Sequence, residues 1–247
     1  MGGIAMQAWF ESFKADFDLN FIQGNRWKYL LEGLGTTLTI TLLACLLGVV
    51  IGVVIAMVRS TYDKTAEGAR PTLGRRLFGV LDWFCRVYLT IFRGTPVVVQ
   101  LMIIYFVIFA WSDNGTMVAA LAFGLNSGAY VAEIVRGGIM SIDNGQFEAG
   151  RSLGFNYVQT MRFIVIPQVI KNVLPALANE FIALLKETSV AGYVAVKDLT
   201  KGGDIIRSRT YSPFLPLIAV ALIYLALVMF FSWLVSKLER RLRNSDH

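Results

Sequence analysis

Charged and polar side chains that interrupt otherwise apolar stretches are where this 247-residue sequence could do chemistry. Glu180 lies inside "LPALANEFIALLKETSV" (174–190), with Lys186 and Glu187 further along the same run. An ionisable group in such a segment is costly and by default marks a functional face. Its carboxylate could hold an amino group or a cationic side chain. The competing reading is structural: a partner for Lys186 or for a polar group on a neighbouring helix, or a position nearer the interface. Gln100, four residues after Pro96, and the Asn126–Ser127 pair are further polar groups among apolar ones. Helix–helix hydrogen bonding is the stronger reading of each taken singly. Glu133 and Arg136 stand at i and i+3 and read as a snorkelling surface pair.

Several reaction classes drop out. The single histidine is His247, the last residue, so histidine-based acid–base or metal chemistry has no foundation. Cys45 lies in an apolar run and Cys85 in an amphipathic one, which fits neither a disulfide nor a metal site. Neither a catalytic constellation nor a metal-ligand cluster is visible. A phosphate-cradling P-loop needs a Gly-Lys pair followed by Ser or Thr, and no Gly-Lys dipeptide occurs.

The elements that would hold these side chains are membrane spans. The chain is 55% hydrophobic and 16% charged, with mean hydropathy +0.58; soluble domains carry about a quarter charged residues. Uncharged or nearly uncharged runs cover 33–58, 94–112, 114–132, 172–196 and 210–236, which predicts an all-α protein with about five crossings. Gly48 and Gly52 form a GxxxG pair suited to close helix packing. With five crossings the termini lie on opposite sides. Segments 59–76, 136–171 and 237–247 hold 13 Lys and Arg, against 7 in 1–32, 112–115 and 197–209. The positive-inside rule then puts the N-terminus outside and the C-terminus in the cytoplasm. The net charge of +6 has the same cause, since no basic stripe interleaved with aromatics points to nucleic acid. Residues 1–32 read as an extracytoplasmic segment without a cleavable signal, 33–241 as the membrane domain and 242–247 as a cytoplasmic tail.

Two segments are neither span nor plain loop. "RRLFGVLDWFCRVYLTIFRGTP" (75–96) places Asp82, Arg86 and Arg93 among aromatics, the pattern of an amphipathic helix at the interface. Gly94-Thr95-Pro96 should break it, because proline removes a donor and restricts the residue before it. The second, "EAGRSLGFNYVQTMRFIVIP" (148–167), sits between two spans on the predicted cytoplasmic side. Residues 145–153 read as a short helix with Glu148 and Arg151 on one face. Gly154 takes the left-handed stop, Asn156 caps a second helix, and Pro167 and Pro175 mark the return to the membrane. Small residues at 149 and 150 leave a flat face. Such a knob could dock into a soluble partner or lie on headgroups.

The spacing Glu148-Ala149-Gly150, then Gly154, then Ile164-Val165-Ile166-Pro167 resembles the EAA loop of ABC-importer permeases, with Gly150 and Ile166 as mild departures. "FRGTPVVVQLMIIYF" (92–106), "LNSGAYVAEIVRGGI" (125–139), "LPALANEFIALLKETSV" (174–190) and "LERRL" (238–242) extend the resemblance, in order, to polar amino-acid permeases of the histidine and glutamine type.

The resemblance implies a type I importer fold in a bacterial inner membrane. It also implies a coupling loop at about 142–170, in which Glu148, Ala149, Gly150, Arg151, Gly154 and Pro167 face an ATPase. The implied partners are two ATP-binding subunits carrying ATP and Mg, a second permease chain, identical or sister, and an extracytoplasmic amino-acid-binding protein. This chain itself would hold no cofactor and catalyse nothing. Glu180, with Gln100, Asn126 and Ser127, becomes the candidate substrate pathway, and its negative charge favours basic or zwitterionic cargo over acidic. A self-sufficient carrier or channel is the rival. Carriers of that kind show inverted repeats with paired broken helices, and neither is detected.

Overall fold

The computed structural model describes residues 2–66 and 73–243. In chain order the helices are α1 (Gly2–Phe17), α2 (Trp27–Ala66), α3 (Leu73–Gly94), α4 (Val97–Ile103), α5 (Gly115–Met140), α6 (Asn144–Ser152), α7 (Tyr157–Thr160), α8 (Ile166–Glu187), α9 (Leu199–Thr210) and α10 (Phe214–Arg243). No strand occurs among the described residues. Of the predicted cytoplasmic tail, residues 244–247 lie outside the described residues, as does Arg70 of the predicted inner segment 59–76.

The bundle is organised around α5, most of whose residues are buried. It packs along α2 through small side chains. A Cβ on Gly52 would lie 2.5 Å from Val131 and 2.8 Å from the Ala132 backbone nitrogen, and one on Gly48 would lie 3.0 Å from Ser127 Oγ. The GxxxG pair therefore does what its spacing predicted, letting two backbones approach where lipid offers no hydrophobic drive. Ile40, Leu101, Phe123 and Leu184 fill the core toward one end of the bundle. Val131, Val135, Met161 and Val169 fill it toward the other.

Four helices are long and apolar enough to cross a membrane, and α3 with α4 makes a fifth crossing if the bent pair counts as one. Several details differ from the sequence reading or add to it. The break expected at Gly94-Thr95-Pro96 is present, as a 110° bend between α3 and the short stretch Val97–Ile108. The run 94–112 does not cross alone, since the twelve residues after the bend rise only about 18 Å against the roughly 30 Å of hydrocarbon. The helix α3 buries Asp82 and Cys85 against the bundle, while Trp83, Phe84 and Ile91 are exposed. Arg86 and Arg93 stay about half exposed, so its polar side is divided between the bundle and the surface.

The fourth crossing is also longer than the apolar run at 172–196. A helical rod runs from Tyr157 to Val194. Pro167 does not interrupt it, because a π turn at Met161–Val165 precedes the proline and Ile166 N–H reaches back to the Met161 carbonyl. That shift in register absorbs the donor that proline lacks. Finally, the segment 197–209, which the sequence placed outside the spans, is itself structured. It contains α9, capped by Asp198, whose side chain accepts from Lys201 N at 2.8 Å. The helix α2 opens at Trp27, ahead of its apolar run, and its start packs against α9.

Candidate functional site

The exposed loop is built as the sequence suggests. Asp143 accepts from Gly145 N at 2.6 Å and starts α6. Gly154 ends it at φ +80°, a left-handed conformation that costs a side-chain-bearing residue. Asn156 and Gln159 then form a reciprocal capping box, 2.9 Å each way, that starts α7. Phe147 is buried beneath α6, while Glu148, Ala149 and Arg151 face outward with Leu153 and Val158. Glu148 and Arg151 form no ion pair with each other among the described residues, so both present free charge on the outer face.

Several contacts tie this knob to the bundle, among them Gln168 of α8 donating to Gln146 Oε1 at 3.3 Å. Lys64, near the end of α2, donates to Asn144 Oδ1 at 2.8 Å and lies 4.6 Å over the Phe147 ring. Gly150 meets Thr160 so closely that an alanine Cβ would sit 2.5 Å from Thr160 Oγ1. This explains the glycine at the third motif position: a buried β-branched residue occupies the space that alanine would need. Pro167 is on the rod, exposed, beyond the π turn.

The four candidate pathway residues fall into two groups. Asn126 donates to Gln100 Oε1 at 2.9 Å and to the Phe92 carbonyl at 3.2 Å. Gln100 donates to the carbonyls of Phe92 and Thr95 at 2.9 and 3.0 Å and contacts Thr95 Oγ1 at 2.8 Å. Together they satisfy backbone carbonyls released where α3 stops at Gly94. Non-helical backbone at membrane depth needs such partners. Ser127, one residue on, points elsewhere. Its hydroxyl donates to Glu180 Oε1 at 3.0 Å, joining α5 to α8. Ser127 is buried and Glu180 half-buried. No ion pair joins Glu180 to Lys186 among the described residues, so the carboxylate keeps acceptor capacity. Asn172 and Asn179 are exposed on the same helix.

Sequence reading missed one cluster. The predicted surface pair Glu133–Arg136 is present at 3.3 Å, but Glu133 also holds Arg59 at 3.3 Å. Arg59 in turn reaches Asp82 at 3.5 Å, so the pair belongs to a network spanning α2, α3 and α5. A second local signal was Asp82–Arg86, at i and i+4, which pair at 2.7 Å.

Known proteins resemble this chain in sequence and in shape. A protein of Rickettsia bellii named as a glutamine transport system permease is 41% identical over 165 residues, 66% of this chain and 76% of its own. The arginine transport system permease of Bacillus subtilis is 38% identical over 167 residues, with the same coverage. A crystal structure of an amino acid ABC transporter with histidines superposes with TM-score 0.76 at 38% identity, covering 90% of this chain and 98% of the other. The fold is thus the all-α type I importer permease, a multi-pass membrane protein, as the resemblance implied. Residues 71–244 match the family described as the binding-protein-dependent transport system inner membrane component, and the chain belongs to that family.

Proposed function

We propose that this chain is the membrane-spanning permease of an ATP-driven importer of polar amino acids, coupled to a separate ATPase through the loop at 141–156. The observation that carries the reading is the helical rod from Tyr157 to Val194, with the exposed loop at its base and Glu180 within it. Tyr157 to Glu180 is about 35 Å along a helix at 1.5 Å per residue. Force applied at Glu148, Ala149 and Arg151 passes through the Gly150–Thr160 contact into the rod. Lys64 carries the same displacement to α2.

In this reading two ATP-binding subunits hold ATP and Mg, and this chain holds no cofactor and catalyses nothing. A second permease chain completes the pathway, and an extracytoplasmic binding protein delivers the amino acid. The N-terminus is outside and the loop cytoplasmic in this reading, which the distribution of Lys and Arg over five crossings favours. Glu180 and Ser127 line the pathway beside Asn172 and Asn179, while Gln100 and Asn126 hold the broken helix next to it. The relatives' names, for glutamine and arginine, support basic or zwitterionic cargo over acidic. A carboxylate in the pathway repels a second carboxylate.

The test is uptake in proteoliposomes containing this chain with and without its ATPase, with arginine, glutamine and aspartate as competitors. Uptake should require the ATPase and ATP. Arginine or glutamine should compete and aspartate should not. Uptake by this chain alone, or inhibition by aspartate alone, would overturn the reading.

A further inference from the structure

The charged network at the junction of α2, α3 and α5 is not balanced. Arg59, Arg86, Arg93 and Arg136 bring four guanidinium groups, against the carboxylates of Asp63, Asp82 and Glu133. Asp82 serves Arg86 at 2.7 Å and Arg59 at 3.5 Å. Glu133 serves Arg59 and Arg136 at 3.3 Å each, so Arg93 reaches it only at 3.9 Å. Excess positive charge beside apolar surroundings is costly unless an anion completes it.

A groove of about 680 Å³ opens at this place, bounded by Arg59, Arg86, Thr90, Arg93, Tyr130 and Glu133. The Arg86 and Arg93 side chains are about half exposed, at 53% and 46%. The groove borders the outward apolar face of α3, with exposed Leu81, Trp83, Phe84 and Ile91. In a bilayer such a face suits lipid acyl chains. Thr90 Oγ1 already donates to the Arg86 carbonyl at 2.8 Å, so the donors that can turn into the groove are the guanidinium groups and the Tyr130 hydroxyl.

We propose that this groove binds the phosphate of an anionic phospholipid. Arg86 and Arg93 donate to its non-bridging oxygens, and the acyl chains lie along the outward face of α3. Planar guanidinium groups match phosphate oxygens in pairs, and basic pockets between membrane helices are the known setting for anionic headgroups.

The experiment uses this chain purified in complex with its partner subunits. Lipid retention is read by native mass spectrometry, and the thermal midpoint by unfolding, with phosphatidylglycerol, phosphatidylcholine or inorganic phosphate added. The parent should retain phosphatidylglycerol over phosphatidylcholine by about tenfold, and only phosphatidylglycerol should raise its midpoint. Arg86→Gln with Arg93→Gln should abolish the preference. Arg93→Lys, which keeps the charge, should retain part of it, and Arg240→Gln with Arg241→Gln on α10 should leave it intact. No preference in the parent, or an unchanged preference in the Arg86/Arg93 double variant, would overturn the proposal. Inorganic phosphate alone reproducing the shift would make this a free-phosphate site and reject the lipid. Displacement of the retained lipid by free arginine or glutamine would assign the groove to cargo and also reject it.

Discussion

Asn126 and Ser127 are neighbours in sequence, yet they belong to opposite kinds of polar cluster. Asn126 turns toward the break between α3 and α4, where with Gln100 it joins a closed set of hydrogen bonds to backbone carbonyls. Ser127 turns toward α8, where it gives Glu180 one hydrogen bond and leaves the carboxylate able to accept more. Saturation separates them. A closed cluster at membrane depth stabilises the fold, and an open one has capacity left for a ligand.

The first way to break this comparison is Asn126→Leu. It strands Gln100 Oε1 and loosens the cover on the Phe92 carbonyl, each costing about 1–3 kcal/mol when buried and unpaired. Purified yield and thermal midpoint should both fall sharply. A variant as stable as the parent would show that the closed cluster is not structural.

Asp198 is an intermediate case outside the spans. Its carboxylate is buried; it caps α9 through Lys201 N, and its Oδ2 has no hydrogen-bond partner among the described residues. Burial pushes it up to about 6 from an ordinary 3.8. The folded pKa is raised, so the stabilisation from holding the proton is present below pH 3.8 and lost as pH rises through 6. Asn keeps the cap without the charge. Asp198→Asn should therefore be the more stable form at pH 7.5, by about 3 kcal/mol at most. That advantage should shrink below pH 6. Parallel stability–pH curves for the two proteins would contradict this.

Gly150→Ala should cost about 1–3 kcal/mol by overpacking against Thr160. Thr160→Ala in the same chain should recover most of that loss, since the two residues touch. Additive losses in the double variant would remove the contact from the account.

The smallest stability effect is expected at Glu180→Gln. An amide still accepts from Ser127, so the thermal midpoint should move by under about 1 kcal/mol equivalent. Competition by arginine relative to aspartate should nevertheless change. Unchanged selectivity would take Glu180 out of the pathway.

What was legible in the sequence follows the range of the interactions involved. Asn156, Gly154 and the Gly48–Gly52 pair act within a few residues or through an obligatory close approach, so local spacing announced them. Apolar runs announced the crossings. The π turn before Pro167 was invisible because a one-residue register shift leaves no compositional trace. The α9 helix carried a cap at Asp198 and arginines in its last turn, but its short polar sequence marked it only as a segment outside the spans. Arg59, Asp82 and Glu133 meet only through the packing of three helices, and no single window of the sequence contains that meeting.

The central claim is that the exposed face of α6 drives the rod carrying Glu180. Its most direct test is the ratio of amino acid taken up to ATP hydrolysed, measured on the same proteoliposomes for the parent, Glu148→Lys and Gly154→Val. The account predicts normal membrane insertion with that ratio reduced at least about tenfold in both variants, because docking or loop geometry fails while the bundle stays intact. A parental ratio in either assembled variant would contradict it.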